Sequence, residues 1–120
     1  MALSTNVTKP ARVRSIGHKC ATTARETIYT VPKNHTALVT LLFISNTDTA
    51  NRDVTVEWYH AEAATYYTVF TTSISSKNYL HFADGYMALN EDDRFHITAG
   101  ATNVINAIIS VEEIFDPVTH

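Results

Sequence analysis

From residue 26 onward, apolar and polar positions alternate in short runs with the period of two that marks β-strands. Thr27-Ile28-Tyr29-Thr30-Val31 is a β-branched and aromatic run closed by Pro32, which has no N–H for a ladder and so marks a strand end or an edge. Lys33-Asn34-His35 reads as the turn that follows. Residues 36–45 are apolar on both sides, with Ala37, Val39, Leu41 and Phe43 in one set and Leu38, Leu42 and Ile44 in the other. A strand of that kind is either central in a two-layer structure or covered by a partner subunit.

Residues 53–60 alternate cleanly, Val54, Val56 and Trp58 against Thr55, Glu57 and Tyr59, which predicts one wet face. Ala61-Glu62-Ala63-Ala64 fits a single helical turn or a loop equally well. Residues 65–73 set Tyr67, Val69 and Thr71 against Tyr66, Thr68 and Phe70. Shorter runs follow at 79–82, 86–89 and 95–98, separated by Ala83-Asp84-Gly85 and the acidic turn Asn90-Glu91-Asp92-Asp93, before a long closing run at 104–115. Seven or eight strands at intervals of about 8 to 12 residues, with no helical pattern long enough for a crossover, predict an all-β antiparallel sandwich of jelly-roll or immunoglobulin-like type. With only three glycines in the chain, Asn and Asp are expected to carry the tight turns.

Residues 1–23 show neither period. They read as an extended N-terminal arm, followed by a sandwich domain over 24–116 and a short tail at 117–120. Composition agrees with the fold: Thr, Val, Ile and the aromatic residues make up about two-fifths of the chain, the types that suit a pleated, half-buried surface.

Charge changes the picture of the arm. Residues 1–25 contain Lys9, Arg12, Arg14, Lys19 and Arg25 and no acid, while the remainder holds four basic and twelve acidic residues. A basic arm preceding an acidic body is expected either to stay solvated or to lie on the acidic surface of a neighbouring subunit. Five dispersed cations without interleaved aromatic residues make a poor nucleic-acid tract. The first 22 residues lack the apolar run of a secretory signal, and the most apolar window is far short of the roughly 20 residues that span a bilayer. Synthesis in a cytoplasm and no membrane contact are the expectation.

Candidate chemistry is sparse. One cysteine, Cys20, excludes an internal disulfide and any zinc site built on several thiolates. Six histidines carry no His-x-His pair, and His60-Ala61-Glu62 lacks the two further cysteines of a zinc deaminase. A site made of His60, His81 and His96 is weaker than ordinary surface or interface roles for them. Neither a Gly-x-Ser-x-Gly elbow nor a phosphate-cradling glycine loop is present. The acidic turn at 90–93 lacks the Asp-x-Asp-x-Asp-Gly spacing of a calcium loop and reads as a solvated hairpin. The pattern therefore predicts no catalytic residues, no metal and no cofactor. Tyr59, Tyr66 and Tyr86 are the exposed aromatic candidates, suited to packing at a protein interface or, as an alternative, to stacking on a sugar.

The segment from Glu26 to Pro32, then His35-Thr36-Ala37, an apolar strand ending Ile44-Ser45-Asn46-Thr47, Val54 and Val56, and Asp84-Gly85-Tyr86-Met87-Ala88-Leu89 ahead of the acidic turn, resembles the small β-sandwich virion proteins of tailed bacteriophages. The likeness spans about residues 26–114 and does not include the basic arm. It implies a capsid, head-decoration, neck or tail component of the virion that works without catalysis, as a homo-oligomer or by packing against other virion proteins. The alternative is a carbohydrate-binding or receptor-binding sandwich module.

Overall fold

The computed structural model describes residues 11–116, and no helix occurs among them. Nine strands form: β1 (Ala11–Lys19), β2 (Glu26–Thr30), β3 (His35–Asn46), β4 (Arg52–His60), β5 (Thr65–Ile74), β6 (Tyr79–Phe82), β7 (Met87–Leu89), β8 (Arg94–Ala99) and β9 (Ile105–Phe115). They make two antiparallel sheets packed face to face. One runs β1-β9-β3-β6, with β7 pairing β3 beyond β6, and the other runs β2-β8-β4-β5. This is the antiparallel sandwich the alternation predicts, with one strand more than the seven or eight expected.

The additional strand is β1. Residues 11–19, expected as part of an arm, pair along their whole length with β9, Ala11 opposite Ile114 through Lys19 opposite Asn106. The reason lies in the partner: β9 is the long central strand of its sheet, bonded to β3 on one side, and β1 satisfies its other row of backbone groups. The parts of the expected arm and tail at 1–10 and 117–120 lie outside the described residues.

The core is aliphatic, with Val54 and Val56 of β4, Ile97 of β8, Ile44 of β3 and Ile105, Ile109 and Val111 of β9 all nearly inaccessible. Each such side chain contributes about 1.5–3 kcal/mol on burial. Trp58, Phe70 and Leu80 pack against it from the rim.

Bulges explain why simple alternation fails in two strands. In β3 the register shifts between Val39 and Leu41, so the inward set is Ala37 and Val39 before the bulge, then Leu42 and Ile44 after it. The doubly apolar run is thus one inward face that changes parity at Thr40. β3 is also central, flanked by β9 and by β6 and β7. In β5, the shift opposite Val56/Glu57 leaves Val69 unpaired, so Tyr66 opposes Tyr59 while Phe70 opposes Val56. Tyr66 and Phe70 consequently lie on opposite faces, contrary to strict alternation.

Turns use left-handed residues other than glycine, as the low glycine count requires: Asn34, Asp92 and Asn103 at φ 62°, 69° and 60°. The Ala61–Ala64 segment is a tight turn, with the Ala64 N–H donating to the Ala61 carbonyl at 3.1 Å. Ala64 sits there at φ 51°, where a Cβ is unfavourable. Ala64→Gly is therefore expected to raise the unfolding free energy by roughly 0.5–1 kcal/mol, read as a shifted midpoint in urea at unchanged slope.

Candidate interaction surfaces

Two cations of β1, Arg12 and Arg14, pair with a buried acid of the chain's own fold. Register places Arg12 opposite Glu113, Arg14 opposite Val111 and Ile16 opposite Ile109, so all three share the inward face of β9. Glu113 is 1% exposed. Its carboxylate accepts from Arg12 at 2.8 Å, stands 3.2 Å from Arg14 Nε, and accepts from the Tyr29 hydroxyl of the opposite sheet. Burial alone would raise the Glu113 carboxyl; the Tyr29 hydroxyl and the two guanidinium groups prevail and hold it below the ordinary carboxylate range. Burial and the adjacent carboxylate push the Tyr29 hydroxyl up in turn. Arg12 and Arg14, read from the sequence as part of an arm either solvated or lying on a neighbour's acidic surface, neutralise a buried acid of their own sheet. Lys19 is exposed at the end of β1, and Lys9 lies outside the described residues.

Arg25 does face outward. On the outer face of the β2-β8-β4-β5 sheet its guanidinium bonds Glu57 through two nitrogens at 2.8 and 3.1 Å and lies 3.8 Å above the Tyr66 ring. Arg94 covers Tyr59 in the same way at 4.2 Å, and the two tyrosine rings meet at 4.7 Å. His96 lies beneath them, 5.4 Å from Tyr66, with Nδ1 3.3 Å from the Thr27 hydroxyl. Burial, then the charges of Arg94 and Arg25, push the His96 imidazole below its ordinary pKa. Tyr59 and Tyr66 are therefore brought together as a fixed aromatic and guanidinium platform, whereas Tyr86 stands apart.

Tyr86, 71% exposed, lines an apolar cleft of about 430 Å³ together with Val69 and Phe70 of β5, Phe82 of β6, Met87 of β7 and Leu42 of β3. β5 forms one lip of that cleft. It is ten residues long, carries neither a charge nor a proline, and pairs only with β4 among the described residues. Val69 and Tyr67 on it are 43% and 47% exposed. Charged residues, prolines and shortness, three of the means by which an edge resists pairing with another chain, are absent from it, and the bulge at Val69 is the one such device it carries.

The acidic turn is a brace. Asp93, expected on a solvated hairpin, is fully buried and accepts from Trp58 Nε1 at 3.1 Å, the Ala61 N–H at 2.9 Å and the Asn90 N–H at 3.0 Å. Its neighbours are also engaged: Glu91 accepts from the Asn34 N–H, and Asp92 pairs with Lys33. The three histidines considered as a metal set are dispersed, His60 beside Asp93, His96 under the tyrosines, and His81 on β6 near Tyr79.

No family model matches the chain, and no curated protein matches it by sequence. Solved structures do. The subunit of the Bacillus endospore appendages, described as disulfide-linked pili, aligns at a TM-score of 0.56 and 15% identity over 97% of each chain. A capsid protein of Helicobacter pylori bacteriophage KHP30 aligns at 0.54 and 12% identity, over 92% of this chain and 91% of the other. A family 22 carbohydrate-binding module of Clostridium thermocellum Xyn10B is a looser match, at 0.41 and 11% identity over 92% and 87%. The likeness is one of fold.

Sequence reasoning missed Cys20, placed in the arm but fully buried at the end of β1. Burial, then the charge of Glu26, pushes its thiol up to about 11. Glu26 is held down to about 2, first by the Thr22 hydroxyl, against the effect of burial, and further by His18 and the N–H groups of Thr22 and Ala21. The one signal in the sequence was a spacing: His18 and Cys20 are two apart, hence on one side of an extended chain.

Proposed function

We propose that this protein is a non-enzymatic structural subunit of a phage virion, made in the host cytoplasm and working through contacts with copies of itself and other virion proteins. The observation that carries the reading is the uncharged, proline-free edge of β5 beside an exposed apolar cleft, a surface suited to being covered in an assembly. The sandwich likeness to a phage capsid protein over nearly the whole of both chains supports it. Disulfide-linked assembly is disfavoured, since the single cysteine is fully buried.

In this reading an incoming strand extends the sheet at β5, its backbone groups supplying affinity and the cleft and Tyr86 supplying specificity. Val69→Lys places a charge on the edge at the unpaired bulge residue, where the fold itself does not need the side chain. It is expected to leave the thermal midpoint of the isolated chain nearly unchanged and to lower incorporation into particles by about tenfold, corresponding to roughly 1.4 kcal/mol of contact energy. Normal incorporation of the folded variant would count against β5 as the assembly edge.

A carbohydrate-binding role would draw on Tyr86, the tyrosine whose exposure is greatest, because the rings of Tyr59 and Tyr66 already carry guanidinium groups. A glycan array on the soluble chain, with Tyr86→Ala as comparison, separates the two readings: an assembly subunit shows no saccharide preference.

A further inference from the structure

We propose that His18, Cys20 and Glu26 form a binding site for one zinc-class divalent ion at the junction of β1 and β2. One imidazole nitrogen, the thiol sulfur and one carboxylate oxygen all lie within 4.8 Å of one another, and His18 Nε2 is 2.8 Å from Glu26 Oε1. The three residue types match the ion: imidazole nitrogen, thiolate sulfur and carboxylate oxygen together suit Zn²⁺ or Co²⁺, whereas Mg²⁺ and Ca²⁺ require oxygen donors throughout.

Each ligand is fixed by the fold. His18 is on β1, pinned to Ala107 of β9. Cys20 follows directly, its N–H donating to the Ile105 carbonyl at 2.9 Å and its carbonyl accepting from the Asn103 N–H at 2.8 Å. Glu26 opens β2 in the other sheet, and its second oxygen accepts from the Thr22 N–H at 2.8 Å and from the Thr22 hydroxyl. Oε1 is turned towards His18 and also accepts a longer bond, at 3.4 Å, from the Ala21 N–H, the arrangement by which outer partners orient a ligating carboxylate.

Bonds of about 2.0–2.3 Å in a tetrahedral site separate the ligand atoms by roughly 3.3–3.8 Å. An ion therefore enters by replacing the His18–Glu26 hydrogen bond and widening that gap by about 0.5–1 Å, within the reach of two side-chain rotations. The thiol gives its proton to solvent as the sulfur binds. Three protein ligands leave a fourth position for water, and the His18 and Glu26 side chains, 25% and 17% exposed, keep that side open. Because β1 and β2 belong to different sheets, the bound ion would fasten one sheet to the other at an edge of the sandwich, and its binding energy would add to folding stability.

The test uses the purified full chain, freed of metal with a chelator and titrated with Co²⁺. One equivalent is expected to produce the intense near-ultraviolet sulfur-to-cobalt charge-transfer band, and Zn²⁺ to displace it. Zn²⁺ alone should raise the thermal midpoint, and EDTA should reverse the rise. Cys20→Ser should abolish the band. Since Cys20 is buried, His18→Ala serves as the variant whose folding does not depend on the core; it should weaken Zn²⁺ binding by roughly a hundredfold, while the remote His60→Gln binds as the parent does. Absence of the charge-transfer band at saturating Co²⁺, or His18→Ala binding Zn²⁺ as tightly as the parent, overturns the site.

Discussion

Replacing Arg12 and Arg14 together by alanine is expected to destabilise the isolated chain by about 3 kcal/mol, near the low end for stripping the partners from a buried charge. Glu113 is 1% exposed in the parent, and without the arginines its carboxylate keeps the Tyr29 hydroxyl as partner. The measure is urea unfolding of the monomer, and the control is the triple variant with Glu113→Gln, in which no charge is left to compensate. That third substitution should recover about 2 kcal/mol. Acidity adds an independent check. The native Glu113 pKa is depressed, so its contribution is complete above the unfolded value of about 4.3 and is lost as pH falls below it. Without the arginines burial raises that pKa, and the gap between variant and parent should close as the solution is acidified. If the two arginines instead served a neighbour's surface, the monomer would unfold at the parent's midpoint at every pH.

Asp93→Asn should be nearly as damaging as Asp93→Ala, at about 3–5 kcal/mol for either, although asparagine differs by a single group. One carboxylate oxygen faces Trp58 Nε1 and the Asn90 N–H, and the other faces the Ala61 N–H, with His60 Nδ1 3.5 Å away. The indole and both backbone groups donate, so an amide nitrogen in place of either oxygen sets donor against donor in a fully buried site. Asp92→Asn, one residue away in a left-handed conformation that asparagine tolerates, should leave stability nearly unchanged. A mild phenotype for Asp93→Asn in a thermal or urea melt would show that the β4–β5 turn does not rely on this brace.

These two acids also show what could be read from the chain and what could not. β4 was legible because its inward positions are Val54, Val56 and Trp58, and the closing strand because Ile105, Ala107, Ile109 and Val111 repeat on one side. β1 obeys the same period, but its inward positions are Arg12, Arg14, Ile16 and His18, so the alternation is of charge and size and a hydropathy pattern passes over it. Glu113 is the cause, and its burial depends on a register 101 residues away in sequence. The bulges at Thr40 and Val69 were hidden for a different reason, since an extra residue changes parity without any compositional mark. Of the surface, the pairing of Tyr59 with Tyr66 follows from the β4–β5 hairpin. The guanidinium groups over them come from β8 and from the residue ahead of β2, which local alternation does not connect.

The first and last strands of the sandwich are hydrogen-bonded neighbours. On the ribosome, residues 11–19 emerge about ninety residues ahead of the segment they must join. Until residues 105–115 follow them they have no partner ladder to enter, and that sheet is incomplete. Joining β1 to β9 therefore closes a loop of roughly ninety residues, a long-range contact of the kind whose entropy slows folding.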